Sequence, residues 1–346
     1  MNERTALIVV PDHAWPEGGN AVTAKRIVAG LGRERVRAEA IPFRQLEERA
    51  TGEDVGLLHA LHARRSGVPV AALARRLGVP FVVTITGTDL YDDLTPPAGK
   101  PDMRDVLEGS AAVTVFHGKA AEIAARSVPF LIPKLHVVPP AVQAMAGRRD
   151  RASFGIPEES FVFLLPAGLR PVKDPLFALG PLERLREEGH HLLFVIAGPP
   201  LDAQVAAAVR QAVGGRAWVR WLGAVPHESM GSLLRSSDVV LNTSTAEGLS
   251  NAVLEAMAAR RPILARRNDG NLAALGRDGL FFDDPDGLLE AARRLIGDPL
   301  LRQRVADEAL ARSLREFDPA VEAAGYARIY GGVLGVRKTA CCGSKA

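Results

Sequence analysis

Arg170 and Lys173 stand together in Ala167-Gly168-Leu169-Arg170-Pro171-Val172-Lys173-Asp174-Pro175, directly after an apolar run at 161–166. A forked donor beside a point charge suits a pyrophosphate leaving group, where negative charge builds as the bond to it breaks. Gly168 lets the chain turn, and Asp174 before Pro175 is placed to cap a following helix. The competing reading is a pair of solvated cations in a strand-to-helix loop. A second segment, Glu247-Gly248-Leu249-Ser250-Asn251-Ala252-Val253-Leu254-Glu255-Ala256-Met257, follows the apolar run 239–242. Ser250 is a good N-cap, so a helix should start there and offer free N–H groups and a positive dipole end to an anion. Gly248 permits a ligand to approach the backbone closely. Glu247 precedes this helix and Glu255 lies about one and a half turns into it. Carboxylates there are poor partners for phosphate but good acceptors for the vicinal hydroxyls of a ribose or hexose. The competing reading is an amphipathic helix with solvated acids in its first turns.

The first half carries weaker signals. Gly18-Gly19 opens a helical stretch within Pro11-Asp12-His13-Ala14-Trp15-Pro16-Glu17-Gly18-Gly19-Asn20 and could admit a ligand. It is not GxGxxG, and no acid ends a second strand suitably, which disfavours a nicotinamide site. His62 and Arg64, in His59-Ala60-Leu61-His62-Ala63-Arg64-Arg65-Ser66-Gly67, are candidate acceptor or donor-sugar contacts. So are Thr86 and Asp89, in Thr84-Ile85-Thr86-Gly87-Thr88-Asp89-Leu90. Both segments follow expected strands; His59 itself reads as a strand end.

Several patterns do not lead to chemistry. Asp284-Pro285-Asp286 is a DxD, but it lies between Phe281-Phe282 and a helical stretch, where capping is the better reading. Asp92-Asp93 reads as a solvated turn and His190-His191 as surface or packing residues. There is no Walker A, HExxH or CxxC, and no defensible Ser/His/Asp set. The expectation is therefore no metal and no cofactor. The only cysteines are the vicinal Cys341 and Cys342, which read as part of a frayed tail, with a lipidated basic anchor as the alternative.

These loops need rigid elements behind them. Short apolar runs without polar alternation recur at 5–10, 36–41, 55–59, 80–85, 112–116 and 135–138. In the second half they recur at 161–166, 192–197, 217–222, 239–242, 262–265 and 279–282. Such runs fit strands buried on both faces of a parallel sheet. Helical stretches between them are expected at 20–32, 68–77, 119–126, 174–188, 202–212, 228–235, 250–259, 286–296 and 300–314. The alternation implies right-handed βαβ units, with ligands outside the carboxyl ends of the strands. At 346 residues and 47% apolar, the chain can build two cores. The expected organisation is an N-terminal Rossmann-like domain at 1–145, a C-terminal one at 146–316, and a final helix with tail at 317–346. A net charge of +3 interspersed along the chain, with no basic stripe, argues against nucleic acid and suits an anionic small-molecule ligand equally well. No apolar run approaches the ~18 residues of a membrane span. The first apolar run is also too short for a secretory signal, so the expected location is the cytoplasm; oligomeric state has no signal.

Taken together, these motifs resemble those of the family 4 glycosyltransferases. Glu247 through Glu255 is similar to that family's E-x7-E element, and Arg170 with Lys173 to its Arg/Lys pair. The stretch 168–176 with Glu247-Gly248-Leu249-Ser250 resembles glycosyltransferase 1 domain-containing proteins. His62-Ala63-Arg64-Arg65-Ser66 and Thr86-Gly87-Thr88-Asp89-Leu90-Tyr91 resemble bacterial selenosugar synthases. The resemblance spans roughly residues 5–315. It implies an α/β chain with the GT-B fold of two facing doubly wound, Rossmann-like parallel-sheet domains, and a metal-independent, retaining glycosyltransferase using a nucleotide-diphospho-sugar. It also implies that Arg170 and Lys173 hold the diphosphate, Glu255 the ribose hydroxyls and Glu247 the donor hexose. The backbone of Gly248, Leu249, Ser250 and Asn251 would lie near sugar and phosphate. Gly18 and Gly19 would approach the phosphate, and the loop 223–227 the nucleobase. Where many members carry His before the Gly of a T-x-H-G motif, this chain has Thr86. Transfer of a hexose or N-acetylhexosamine from a uridine-linked donor to an unidentified acceptor is the first reading. Nucleotide-sugar epimerisation or hydrolysis, or silent nucleotide-sugar binding, are the alternatives.

Overall fold

The computed structural model describes residues 4–12, 15–16, 18–50, 54–94 and 100–335. The tail with Cys341 and Cys342, and His13, Ala14 and Glu17 of the glycine loop, lie outside the described residues. The chain divides into two compact units, Met1–Pro140 with Pro319–Ala346, and Ala141–Asp318.

The first unit contains strands β1 (Thr5–Val10), β2 (Ala38–Pro42), β3 (Val55–Leu61), β4 (Phe81–Thr84), β5 (Ala112–Val115) and β6 (Leu135–Val137). All pair in parallel, in the order β2-β1-β3-β4-β5-β6. Helices α1 (Gly19–Arg33), α2 (Leu46–Arg49), α3 (Gly67–Leu77), α4 (Pro101–Gly109) and α5 (Gly118–Ser127) form the connections. Every residue of β1, β3, β4 and β5 is buried, as doubly covered parallel strands require.

The second unit contains β7 (Phe161–Pro166), β8 (Leu192–Ala197), β9 (Val219–Trp221), β10 (Val239–Asn242), β11 (Ile263–Arg266) and β12 (Leu280–Phe282), again all parallel. Their order is β12-β11-β10-β7-β8-β9. Its helices are α6 (Leu179–Glu187), α7 (Ala203–Gly214), α8 (His227–Ser236), α9 (Asn251–Ala258), α10 (Asp269–Leu275), α11 (Pro285–Gly297) and α12 (Pro299–Glu316). In both sheets the order reverses beside the first strand of the unit, and loops at such a switch point diverge to leave room for a ligand. Four of these helices are capped by side chains that accept a main-chain N–H: Asp202, Asn268, Asp284 and Asp298. Asp284 is therefore occupied as a cap, by Gly287 N at 2.7 Å.

The last helix, α13 (Pro319–Val333), packs on the first unit. Its Glu322 makes a two-pronged pair with Arg26 of α1, and its Tyr330 hydroxyl lies 2.6 Å from His59 Nδ1. His59 is fully buried inside β3, not at a strand end, and its Nε2 is 2.7 Å from Thr84 Oγ1. Burial pushes its pKa down to about 3, so the ring is neutral. Asp92 and Asp93, expected in a plain turn, belong to a wide helical segment, Asp89–Leu94, where Asp93 faces Arg64 at 3.5 Å. Among the described residues no helix is long and apolar enough to cross a membrane.

Candidate functional site

In the second unit the site forms where β7, β10 and β11 end. After β7 the chain passes Gly168, packed against Leu201, and reaches Arg170 in extended conformation. A single turn, Pro171–Lys173, follows. That turn is stitched to the end of β10. Thr243 Oγ1 donates to Lys173 O at 2.7 Å, and Thr245 N donates to Val172 O at 2.9 Å. Asp174 then turns through a left-handed conformation (φ 43°), and its carboxylate meets Arg266 at 3.0 Å, with that guanidinium over the Phe177 ring. Among the described residues the Asp174 carboxylate caps no helix. The expected helix at 174 begins only at Leu179, because the left-handed turn and the Arg266 pair hold the chain out of helical geometry.

Lys173 Nζ lies 2.5 Å from Glu247 Oε1, and both side chains are nearly buried. Three donors converge on that one oxygen: Lys173 Nζ, Ser244 Oγ at 2.7 Å and Asn242 Nδ2 at 3.3 Å. Glu247 Oε2 accepts no hydrogen bond from the described residues. Burial alone would raise this carboxyl, but the Lys173 charge and the three donors outweigh it and hold it below the usual range. An ammonium has three donors, and among the described residues Lys173 spends one on Glu247. Two remain for an anion.

Ser250 occupies the N-cap position of α9 but its side chain does not cap; its hydroxyl accepts from Asn242 Nδ2 at 3.3 Å. The main-chain donors of the first turn, beginning at Asn251, receive no cap from it. Gly248 and the buried Leu249 link Glu247 to this helix start. Glu255, one face further along, is mostly buried, with Oε1 3.8 Å from Nδ1 of the exposed His227. Lys173 and Asn242 thus meet at Glu247, Asn242 also holds Ser250, Arg170 immediately precedes the short turn that carries Lys173, and Glu255 lies on the helix that Ser250 opens.

In the first unit, His62, Thr86 and Asp89 are brought together where β3 and β4 end. Asp89 is fully buried, and its two oxygens accept from Ala63 N (2.7 Å), Thr86 N (2.8 Å) and Gly87 N (2.8 Å). His62 sits at φ 99°, rare for a side chain with a Cβ. Its Nδ1 accepts from Arg64 N and Arg65 N, so the ring proton is on Nε2, 3.2 Å from Thr88 Oγ1. Arg64 turns away to Asp102 (3.0 Å) and Asp93 (3.5 Å). Gly18 is the N-cap of α1 and Gly19 its first residue.

Sequence reasoning overlooked Asn242, Ser244, Asn268, Gly270 and Asn271, which surround Glu247. Asn268-Asp269-Gly270-Asn271, separated from the apolar run 262–265 only by Arg266-Arg267, is a helix-start signature, and it was the readable signal.

Residues 160–298, which contain this whole cluster, match the family model described as Glycosyl transferases group 1. The chain is 29% identical over 241 residues to glycosyltransferase 1 domain-containing protein 1 of Xenopus tropicalis, covering 67% of this chain and 70% of that protein. Its fold superposes on sucrose-phosphate synthase of Thermosynechococcus elongatus with a TM-score of 0.78 at 14% identity, covering 96% and 100% of the two chains. It superposes on Anabaena HepE, solved in complex with UDP-glucose, with a TM-score of 0.77 at 16% identity over 95% and 99%. The protein has the GT-B fold and is a glycosyltransferase.

Proposed function

We propose that this glycosyltransferase moves a hexose or N-acetylhexosamine from a UDP-linked donor to an acceptor, with retention of anomeric configuration and without a metal ion. The observation that carries this reading is the Glu247 carboxylate. One oxygen is held by Lys173, Ser244 and Asn242, and the other is open to a sugar hydroxyl. Lys173 and Arg170 meet the diphosphate, and the first-turn N–H groups of α9 add neutral donors to it. Glu255 accepts from the ribose hydroxyls. The acceptor oxygen attacks the anomeric carbon as the bond from that carbon to the phosphate oxygen breaks. The acceptor proton passes to the departing phosphate on the same face, which preserves configuration. Two cations and oriented amides supply the charge stabilisation that a divalent metal gives elsewhere. The UDP-glucose held by HepE supports the donor class. The buried, main-chain-saturated Asp89 acts by shaping the 62–89 loops, where the acceptor is read.

Incubation with UDP-glucose or UDP-N-acetylglucosamine and a panel of acceptors, in EDTA, tests this. Stoichiometric UDP and glycosylated product with the donor's anomeric configuration are expected. UDP released without a glycosylated product across the panel would point to hydrolysis.

A further inference from the structure

We propose that the connection Asn268-Asp269-Gly270-Asn271 sets the position of Glu247 and so governs recognition of the donor's sugar, with Asn271 and Gly270 as positioning residues. The inference rests on the reading of Glu247 as the sugar contact.

Three independent contacts lead from this short connection to Glu247. The first is an amide relay. Asn271 is fully buried, and its Nδ2 donates to Arg266 O at 2.8 Å and to Asn242 Oδ1 at 3.1 Å. Asn242 Oδ1 also accepts from Ser244 N at 3.1 Å. With two unambiguous donors on its oxygen, the Asn242 amide can present only its NH2 to Glu247 Oε1 and Ser250 Oγ. A flipped amide would set oxygen against carboxylate. The second contact is Asn268 Nδ2 to Ser244 O at 2.9 Å, which holds the residue whose hydroxyl donates to Glu247. The third is steric. A Cβ on Gly270 would stand 2.4 Å from Glu247 O and 2.7 Å from Glu247 Cβ. Only glycine lets the start of α10 lie against the Glu247 main chain.

Asn271 Oδ1 is buried without a hydrogen-bond partner among the described residues. The amide is thus retained for what its NH2 donates to, at the cost of an unsatisfied acceptor. An apolar side chain would have avoided that cost if packing were its only task.

The test is calorimetric titration of UDP and of UDP-glucose into wild type, Asn271→Ala, Gly270→Ala and Glu247→Gln. UDP lacks the sugar, so the ratio of the UDP-glucose to the UDP dissociation constant isolates the sugar contact. The proposal expects that ratio to rise about fivefold or more in both positioning variants, with UDP affinity within about twofold of wild type. A wild-type ratio in both, while Glu247→Gln raises it, overturns the positioning role. Equal loss of UDP and UDP-glucose in both marks the connection as general support for the unit and overturns it too. A wild-type ratio in Glu247→Gln removes instead the reading of Glu247 as sugar contact, and the inference with it.

Discussion

Replacing Lys173 with methionine keeps the length of the side chain and removes its charge beside Glu247. The two groups are 15% and 10% exposed, so the carboxylate would be left buried without its cation. Breaking such a pair from one side costs about 3–5 kcal/mol. For a unit the size of residues 141–318, each kcal/mol moves the melting temperature by about 2–4 °C. The unit's transition, followed through Trp218 and Trp221, should fall by about 10 °C at pH 7.5. Its pH dependence is the sharper signature. In wild type the Glu247 pKa is held below the ordinary value of 4.5, so its stabilisation is present above that pH and lost as pH falls through the folded value. Without Lys173, burial dominates and the folded pKa rises above the unfolded one. The folded variant then binds a proton that the unfolded chain does not, and the deficit should shrink by about half between pH 7.5 and pH 5. The double variant Lys173→Met/Glu247→Gln, with no charge left to bury, should recover most of the loss. A deficit equal at both pH values, or a double variant no more stable than the single, would refute this account of the pair.

Lys173→Ala should lower turnover by ~10²-fold or more, as loss of leaving-group stabilisation requires, measured as UDP release with a working acceptor. Glu255→Ala should weaken UDP by about tenfold in a binding titration, since a charged hydrogen bond to ribose is lost; undiminished affinity would contradict the ribose role. His59, neutral in the fold with its pKa pushed to about 3, gains a proton on unfolding below about pH 6.5. Stability of the first unit should therefore fall on acidification from there, by up to about 1.4 kcal/mol per pH unit. Its imidazole NMR signal should stay flat between pH 8 and 5.

The two parallel sheets were legible because fully buried strands leave unbroken apolar runs; all twelve expected runs contain or overlap an observed strand. Boundaries slipped where neighbours intervened, as at 36–41, observed at Ala38–Pro42. Helix α10 went unread because Asp-Gly-Asn resembles a turn and only a short helix follows. Helix α4 was missed beside an acidic, proline-rich stretch. Arg170, Lys173, Glu247 and Glu255 could be singled out because charges after apolar runs are conspicuous. The neutral amides of Asn242 and Asn271 were not, since their importance lies in which way a buried NH2 points, and only tertiary packing decides that. Asp89 shows the converse. Its charge attracted attention, while the three main-chain N–H groups that occupy it come from positions 63, 86 and 87, a convergence no spacing rule reveals.

The most direct measurement is an isothermal titration of UDP-glucose into the protein in EDTA, repeated with Arg170→Ala and Lys173→Ala. Saturable binding at one site per chain is expected, weakened at least about tenfold by either substitution. Saturable binding that both variants retain in full, or no binding of UDP-glucose and UDP by the unaltered protein, would contradict that expectation.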